Sequence, residues 1–146
     1  MGNNRLIIER NLWNSGKSLI AGIDEVGRGP LAGPVYACAV IFPKDFYLKA
    51  VRDSKLLNEK KRQEIFPVLQ REAISWGIGT ASPEEIDEVN VLQATFLAMQ
   101  RSLQKLKIKP DFMITHYYSF QETEEAFKLV SEYEDGIVKA VISIGD

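Results

Sequence analysis

The chain has 146 residues, 45% of them hydrophobic and 26% charged, with a formal net charge of -2. That suits one domain spanning 1–146 with a core that needs no disulfide, and the single cysteine, Cys38, excludes an internal bridge. A near-neutral charge excludes a global basic field, so any contact with nucleic acid must come from a local Lys/Arg patch. No stretch is long and apolar enough for a membrane-spanning helix. The N-terminus, with Arg5, Glu9 and Arg10 interspersed, lacks a signal-peptide core. The expectation is a soluble, cytoplasmic monomer that makes no membrane contact.

Leu6, Ile7, Leu12 and Trp13 sit among charges and predict a short helix held to the body by Trp13, broken at Asn14-Ser15-Gly16. A strand follows from Leu19 to Asp24. It leads into two adjacent acids, Asp24 and Glu25, then a glycine-rich turn, Gly27-Arg28-Gly29-Pro30. Val35 to Phe42 is nearly all apolar, as in a strand covered on both faces, with Cys38 as a buried structural thiol. Asn58 caps a predicted helix from Glu59 to Arg71, with Ile65, Phe66 and Leu69 on its inner face and Pro67 as a kink. Ala73 to Thr80 reads as a third strand whose Gly77 and Gly79 suggest a closely approached backbone. Ser82-Pro83-Glu84-Glu85 opens a helix or helix pair reaching Lys105. Its stripe, Val89, Leu92, Phe96, Met99, Leu103 and Leu106, is core. A fourth strand spans Asp111 to Thr115, a helix Gln121 to Tyr133, and a fifth strand Ile137 to Ile144.

Chemistry gathers around the first turn. Acids at the end of a buried strand are costly unless a cation meets them, and a divalent metal is the usual partner of hard carboxylate oxygens. Asp24 and Glu25 point to opposite faces of a strand, so sharing one site requires reaching around the strand end or binding through water. The bland alternative is that they only cap the turn. Gly27 and Gly29 free the backbone to approach a ligand, and Arg28 offers a planar fork suited to phosphate. Lys60, Lys61 and Arg62 oppose the dipole of their own helix. They form either a solvated face or, beside Lys55, a phosphate-facing patch. Asn90 and Thr95 are either ligand contacts or a surface and a packed residue.

The run Gly22-Ile23-Asp24-Glu25-Val26-Gly27-Arg28-Gly29-Pro30-Leu31-Ala32-Gly33-Pro34-Val35 closely resembles the opening signature of the type 2 ribonuclease H family. Asp53-Ser54-Lys55 with Leu57-Asn58-Glu59-Lys60-Lys61-Arg62 is similar to the family's segment after the second strand. The stretch from Gly77 to Asp87, then Asn90 and Leu92 to Thr95, is similar to its third strand and following helix. The resemblance implies a ribonuclease H-like α/β fold, a mixed five-stranded sheet flanked by helices. It also implies an endoribonuclease that cuts RNA in RNA–DNA hybrids, or at ribonucleotides embedded in duplex DNA, with Mg2+ or Mn2+. By resemblance Asp24 and Glu25 are catalytic metal ligands. Gly27, Arg28 and Gly29 recognise the ribonucleotide, and Ser54 and Lys55 lie along the nucleic-acid groove, Lys55 on a phosphate.

Two departures stand out. The family's fourth strand ends in an Asp where this chain has His116, and imidazole favours softer ions than Mg2+. A further family Asp follows a Gly-Asp-Ala-Lys-Ser-like stretch, and Gly145-Asp146 looks like the beginning of that stretch. The expectation is therefore a C-terminally truncated member. Either it is the catalytic core of an enzyme, or it is a degenerate homologue that binds RNA–DNA junctions without cutting them.

Overall fold

The computed structural model describes residues 6–27, 33–51, 56–115 and, for the backbone alone, 140–142. The predicted helix from Gln121 to Tyr133 lies outside these residues, and so do His116 and Gly145-Asp146. Helix α1 (Ile7–Asn14) leads into strands β1 (Ile20–Val26) and β2 (Val35–Ile41), which pair antiparallel. Helix α2 (Glu59–Glu72) accommodates Pro67 and precedes β3 (Ser75–Ala81), antiparallel to β2. Helices α3 (Pro83–Val89) and α4 (Val91–Gln104) cross to β4 (Phe112–Thr115), parallel to β1, and β5 (Ala140–Ile142) is parallel to β4. The sheet is mixed, in the order β3-β2-β1-β4-β5.

Local chemistry explains the breaks. Asn58 caps α2 by accepting from the Lys61 N–H at 2.8 Å. Ser82 and Glu85 exchange side chain-to-backbone bonds of 3.2 and 2.9 Å, the capping box foreseen for α3, with Pro83 opening it. Asn90 splits the helical run in two: its φ of 77° cannot continue a right-handed helix, and its side chain caps α4 at the Gln93 N–H, 3.0 Å away. Asp111 accepts from the backbone N–H groups of Ser18 and Leu19, both at 2.9 Å, at the point where β4 joins β1. Those donors hold its carboxyl below the usual range.

The core lies between α4 and one face of the sheet. Ala21, Ile23, Ala37, Ala39, Ile41 and Ala81 meet Ala94, Ala98, Met99 and Leu103. Approach is close because β3 presents glycine there. A Cβ on Gly77 would stand 2.6 Å from the Ser102 carbonyl oxygen, and one on Gly79 would run into the Ala98 carbonyl. Arg101 braces the assembly: it donates to the Thr80 carbonyl at 2.7 Å and grips Glu85 with two bonds of 2.8 and 2.6 Å. The stripe is core at Phe96, Met99 and Leu103, and Leu92 and Leu106 pack against it, whereas Val89 is exposed.

Three expectations are corrected. Strand β2 is not covered on both faces: Val35, Ala37, Ala39 and Ile41 are buried, but Tyr36 and Cys38 are exposed, so Cys38 is not a buried core thiol. In α2 only Ile65 is buried; Phe66 turns outward, with its ring edge against Trp76. Strand β1 also runs past the acids, because β2 keeps pairing with it: Asp24 sits opposite Cys38, Glu25 opposite Ala37 and Val26 opposite Tyr36.

Candidate active site

Alternation along β1 places the two acids on opposite faces. Asp24 is exposed on the face opposite α4, in register with Cys38. Its Oδ1 accepts from the Glu25 N–H at 2.8 Å. Glu25 turns to the core side at its rim, with its Oε2 buried. On that same side lies Thr115, the register partner of Ile23. Its Oγ1 is buried and finds no hydrogen-bond partner among the described residues. A buried hydroxyl in that state marks a place suited to a further polar group. Beside Asp24, desolvation of its sulfur pushes the Cys38 thiol pKa up.

The turn that follows is framed by glycines in a conformation L-residues avoid. Gly27 has φ +101° and Gly33 has φ +117°. At Gly27 space is also lacking, since a Cβ would lie 2.6 Å from the Pro34 carbonyl oxygen. The bare backbone at Gly27 follows two residues after Glu25, as the sequence reading requires. Arg28 and Gly29, Ser54 and Lys55, and His116 lie outside the described residues. Asn90 and Thr95 are accounted for structurally: Asn90 caps α4, and Thr95 is buried with its hydroxyl donating to the Val91 carbonyl at 2.7 Å.

Comparison with known proteins places this geometry. Residues 21–142 match the sequence pattern of the family described as Ribonuclease HII. The chain belongs to the ribonuclease HII family. It is 54% identical over 94 residues to the ribonuclease HII of Parabacteroides distasonis, covering 64% of this chain and 47% of that protein. To the Listeria innocua ribonuclease HII it is 45% identical over 136 residues, covering 93% of this chain and 52% of that protein. The chain thus spans about half the length of the curated relatives it matches. Among solved structures it resembles ribonuclease H2 from Pyrococcus horikoshii, with TM-score 0.74 and 22% identity over 86% of this chain and 62% of that one. It also resembles Bst-RNase HIII in complex with Mn2+, with TM-score 0.69 and 20% identity over 97% of this chain and 49% of that one. The fold is ribonuclease H-like, as the sequence resemblance implied.

A ribonuclease HII reading brings a divalent cation with it, and the described residues fit one in part. Two consecutive carboxylates supply hard oxygen donors, and Mg2+ is commonly held by one or two carboxylates with water and substrate phosphate filling the rest. No cluster of three or more His, Cys, Asp or Glu side chains forms among the described residues. The sequence reading singled out the acids and glycines and gave no role to Thr115 or to Arg101, which braces α4 against α3. The signal for Thr115 was a lone hydroxyl closing the apolar run Phe112-Met113-Ile114.

Proposed function

We propose that this chain carries the metal-binding and ribose-sensing part of an endoribonuclease site that acts on RNA in RNA–DNA hybrids or at a ribonucleotide embedded in duplex DNA. The observation that carries the reading is the conjunction of Asp24 and Glu25 with the positive-φ Gly27 at the end of β1. Family membership supports the substrate class, and the Mn2+ in the solved Bst-RNase HIII supports a divalent ion.

In this reading Asp24 and Glu25 hold Mg2+ or Mn2+, with Asp24 the more accessible ligand. Bound there, a divalent ion would supply activation of a water and charge stabilisation at the leaving 3′-oxygen. The residues of the chain set the geometry. The Glu25 N–H restrains the Asp24 carboxylate through its Oδ1. Gly27, with Arg28 and Gly29 following, lets the backbone reach the 2′-hydroxyl, the group that separates RNA from DNA. Ser54 and Lys55 contact the phosphate backbone.

A specific observation favours a second reading. His116 stands where the family carries an Asp, which subtracts a negative charge and a hard ligand. Under that reading the chain binds junctions and does not cut them. A duplex carrying one ribonucleotide, incubated first with Mg2+ and then with Mn2+, separates the two. Cutting 5′ to the ribonucleotide that disappears in Asp24→Asn supports the enzyme. Saturable binding without cutting supports the degenerate homologue. Equal cutting of an all-DNA duplex overturns both.

A further inference from the structure

Strands β1 and β4 are parallel neighbours, so their carboxyl ends lie side by side. They also flank the point where the sheet order turns back, with β2 and β3 beyond β1 and with β5 beyond β4. Ligands of open α/β sheets gather outside the strand ends at such a point. Asp24 and Glu25 stand near the end of β1, and Thr115 closes β4. The Thr115 side chain shares a face with Ile23, its register partner, and therefore with Glu25 two residues on. Spacings of about 4.8 Å between strands and about 3.3 Å per residue put the Glu25 and Thr115 backbones about 8 Å apart, a gap the two side chains together can span. Thr115 is 6% exposed, and its Oγ1 is buried with no hydrogen-bond partner among the described residues. The other buried hydroxyls differ. Thr95 donates to the Val91 carbonyl at 2.7 Å, Ser102 donates to the Met99 carbonyl at 2.6 Å, and Ser75 accepts from the Lys107 N–H at 2.9 Å. Valine has nearly the shape of threonine and would fill the end of β4 with no polar atom to satisfy. An unpaired buried hydroxyl weakens a fold, so its presence here asks for a partner outside the packed core.

We propose that Thr115 is a positioning residue for the metal site: its O–H donates to the Glu25 carboxylate and holds that group in the orientation in which it binds a divalent ion. A ligating carboxylate gains from such an outer partner because its orientation is fixed before the ion arrives, and loss of the partner typically weakens metal binding about 10- to 100-fold. Asp24 already has a donor of this kind in the Glu25 N–H, 2.8 Å from its Oδ1. A backbone donor thus serves Asp24, and a side-chain hydroxyl serves Glu25. Thr115 has this role only if the acids bind an ion, so the role rests on the metal-site reading above.

The test titrates Mn2+ into the full 146-residue chain bound to a duplex carrying one ribonucleotide, with free Mn2+ read by electron paramagnetic resonance. Thr115→Val should weaken Mn2+ binding at least about tenfold, and Thr115→Ser, which keeps the hydroxyl, should restore most of the loss. Without metal, the urea midpoint of Thr115→Val should equal or exceed that of the wild type, because no hydrogen bond is lost. In a Glu25→Gln background the valine should have no further effect on Mn2+ binding. Wild-type affinity in Thr115→Val, with the wild type binding Mn2+, overturns the role of Thr115 and leaves the metal-site reading standing. No binding by the wild type overturns both. A lowered urea midpoint in Thr115→Val overturns the role by making the hydroxyl structural, and an undiminished effect of the valine in Glu25→Gln overturns it by giving the hydroxyl another partner.

Discussion

The two faces of the sheet are made from the same strands and behave as different materials. Toward α4, every inward residue of β2 and β3 is buried and five of the eight are alanine or glycine, so the helix backbone comes within contact of the strand backbone. Away from α4, the alternating residues of those strands include Tyr36, Trp76 and Ile78, larger and far less covered. The first face stores stability in close packing, where even one added carbon has nowhere to go. The second stores none of that kind and instead presents Asp24 and an apolar surface. Close packing and the exposed Asp24 therefore lie on opposite sides of a single layer of backbone.

The largest way to break this comparison is to add bulk on the packed face. Gly79→Val drives a branched side chain into the Ala98 carbonyl and should lower unfolding free energy by roughly 3 kcal/mol or more, measured by urea titration. Removing bulk comes next. Met99→Ala leaves a cavity beneath the sheet and should cost about 2 to 4 kcal/mol by the same titration. If either is neutral, the packed face is not what holds the fold.

A smaller effect tests the brace at the margin of that face. Arg101 holds the Glu85 carboxyl down to about 2, below its ordinary 4.5. A depressed carboxyl pKa contributes stability that is fully present above pH 4.5 and is lost as pH falls toward 2. Thermal melts should therefore show the wild type losing stability across that window, and Arg101→Leu losing less. Asp111 titrates in the same direction in both proteins, so the difference between them isolates the Glu85 pair. The smallest effect belongs to the open face: Ile78→Thr should change unfolding free energy by no more than about 0.5 kcal/mol. A cost matching that of Met99→Ala would show the face to be covered.

Much of this was legible in the sequence. The order of elements, the Asn58 and Ser82 caps and the close approach at Gly77 and Gly79 follow from residues a few positions apart. So does the placement of Asp24 and Glu25 on opposite faces. What sequence could not give was coverage. Val35 to Ile41 is apolar at both parities, so nothing local distinguishes the face that α4 covers from the one it leaves open. Nor do two acids end a strand when an antiparallel neighbour keeps pairing with it, as β2 does through Tyr36. Arg101 carried no local sign of its role, since Glu85 lies 16 residues away and meets it only after α4 has docked. Asn90 and Thr95 drew attention as ligand contacts because polar residues on a helix invite that reading, but backbone groups take both.

The central claim is that the acids of β1 hold a divalent ion beside the Gly27 turn. Calorimetric titration of Mn2+ into the chain bound to a ribonucleotide-bearing duplex, with the same titration on Asp24→Asn, tests it most directly. Saturable heat in the wild type that is abolished in Asp24→Asn is the predicted result. An isotherm identical in both proteins, or no binding in the wild type, would contradict it.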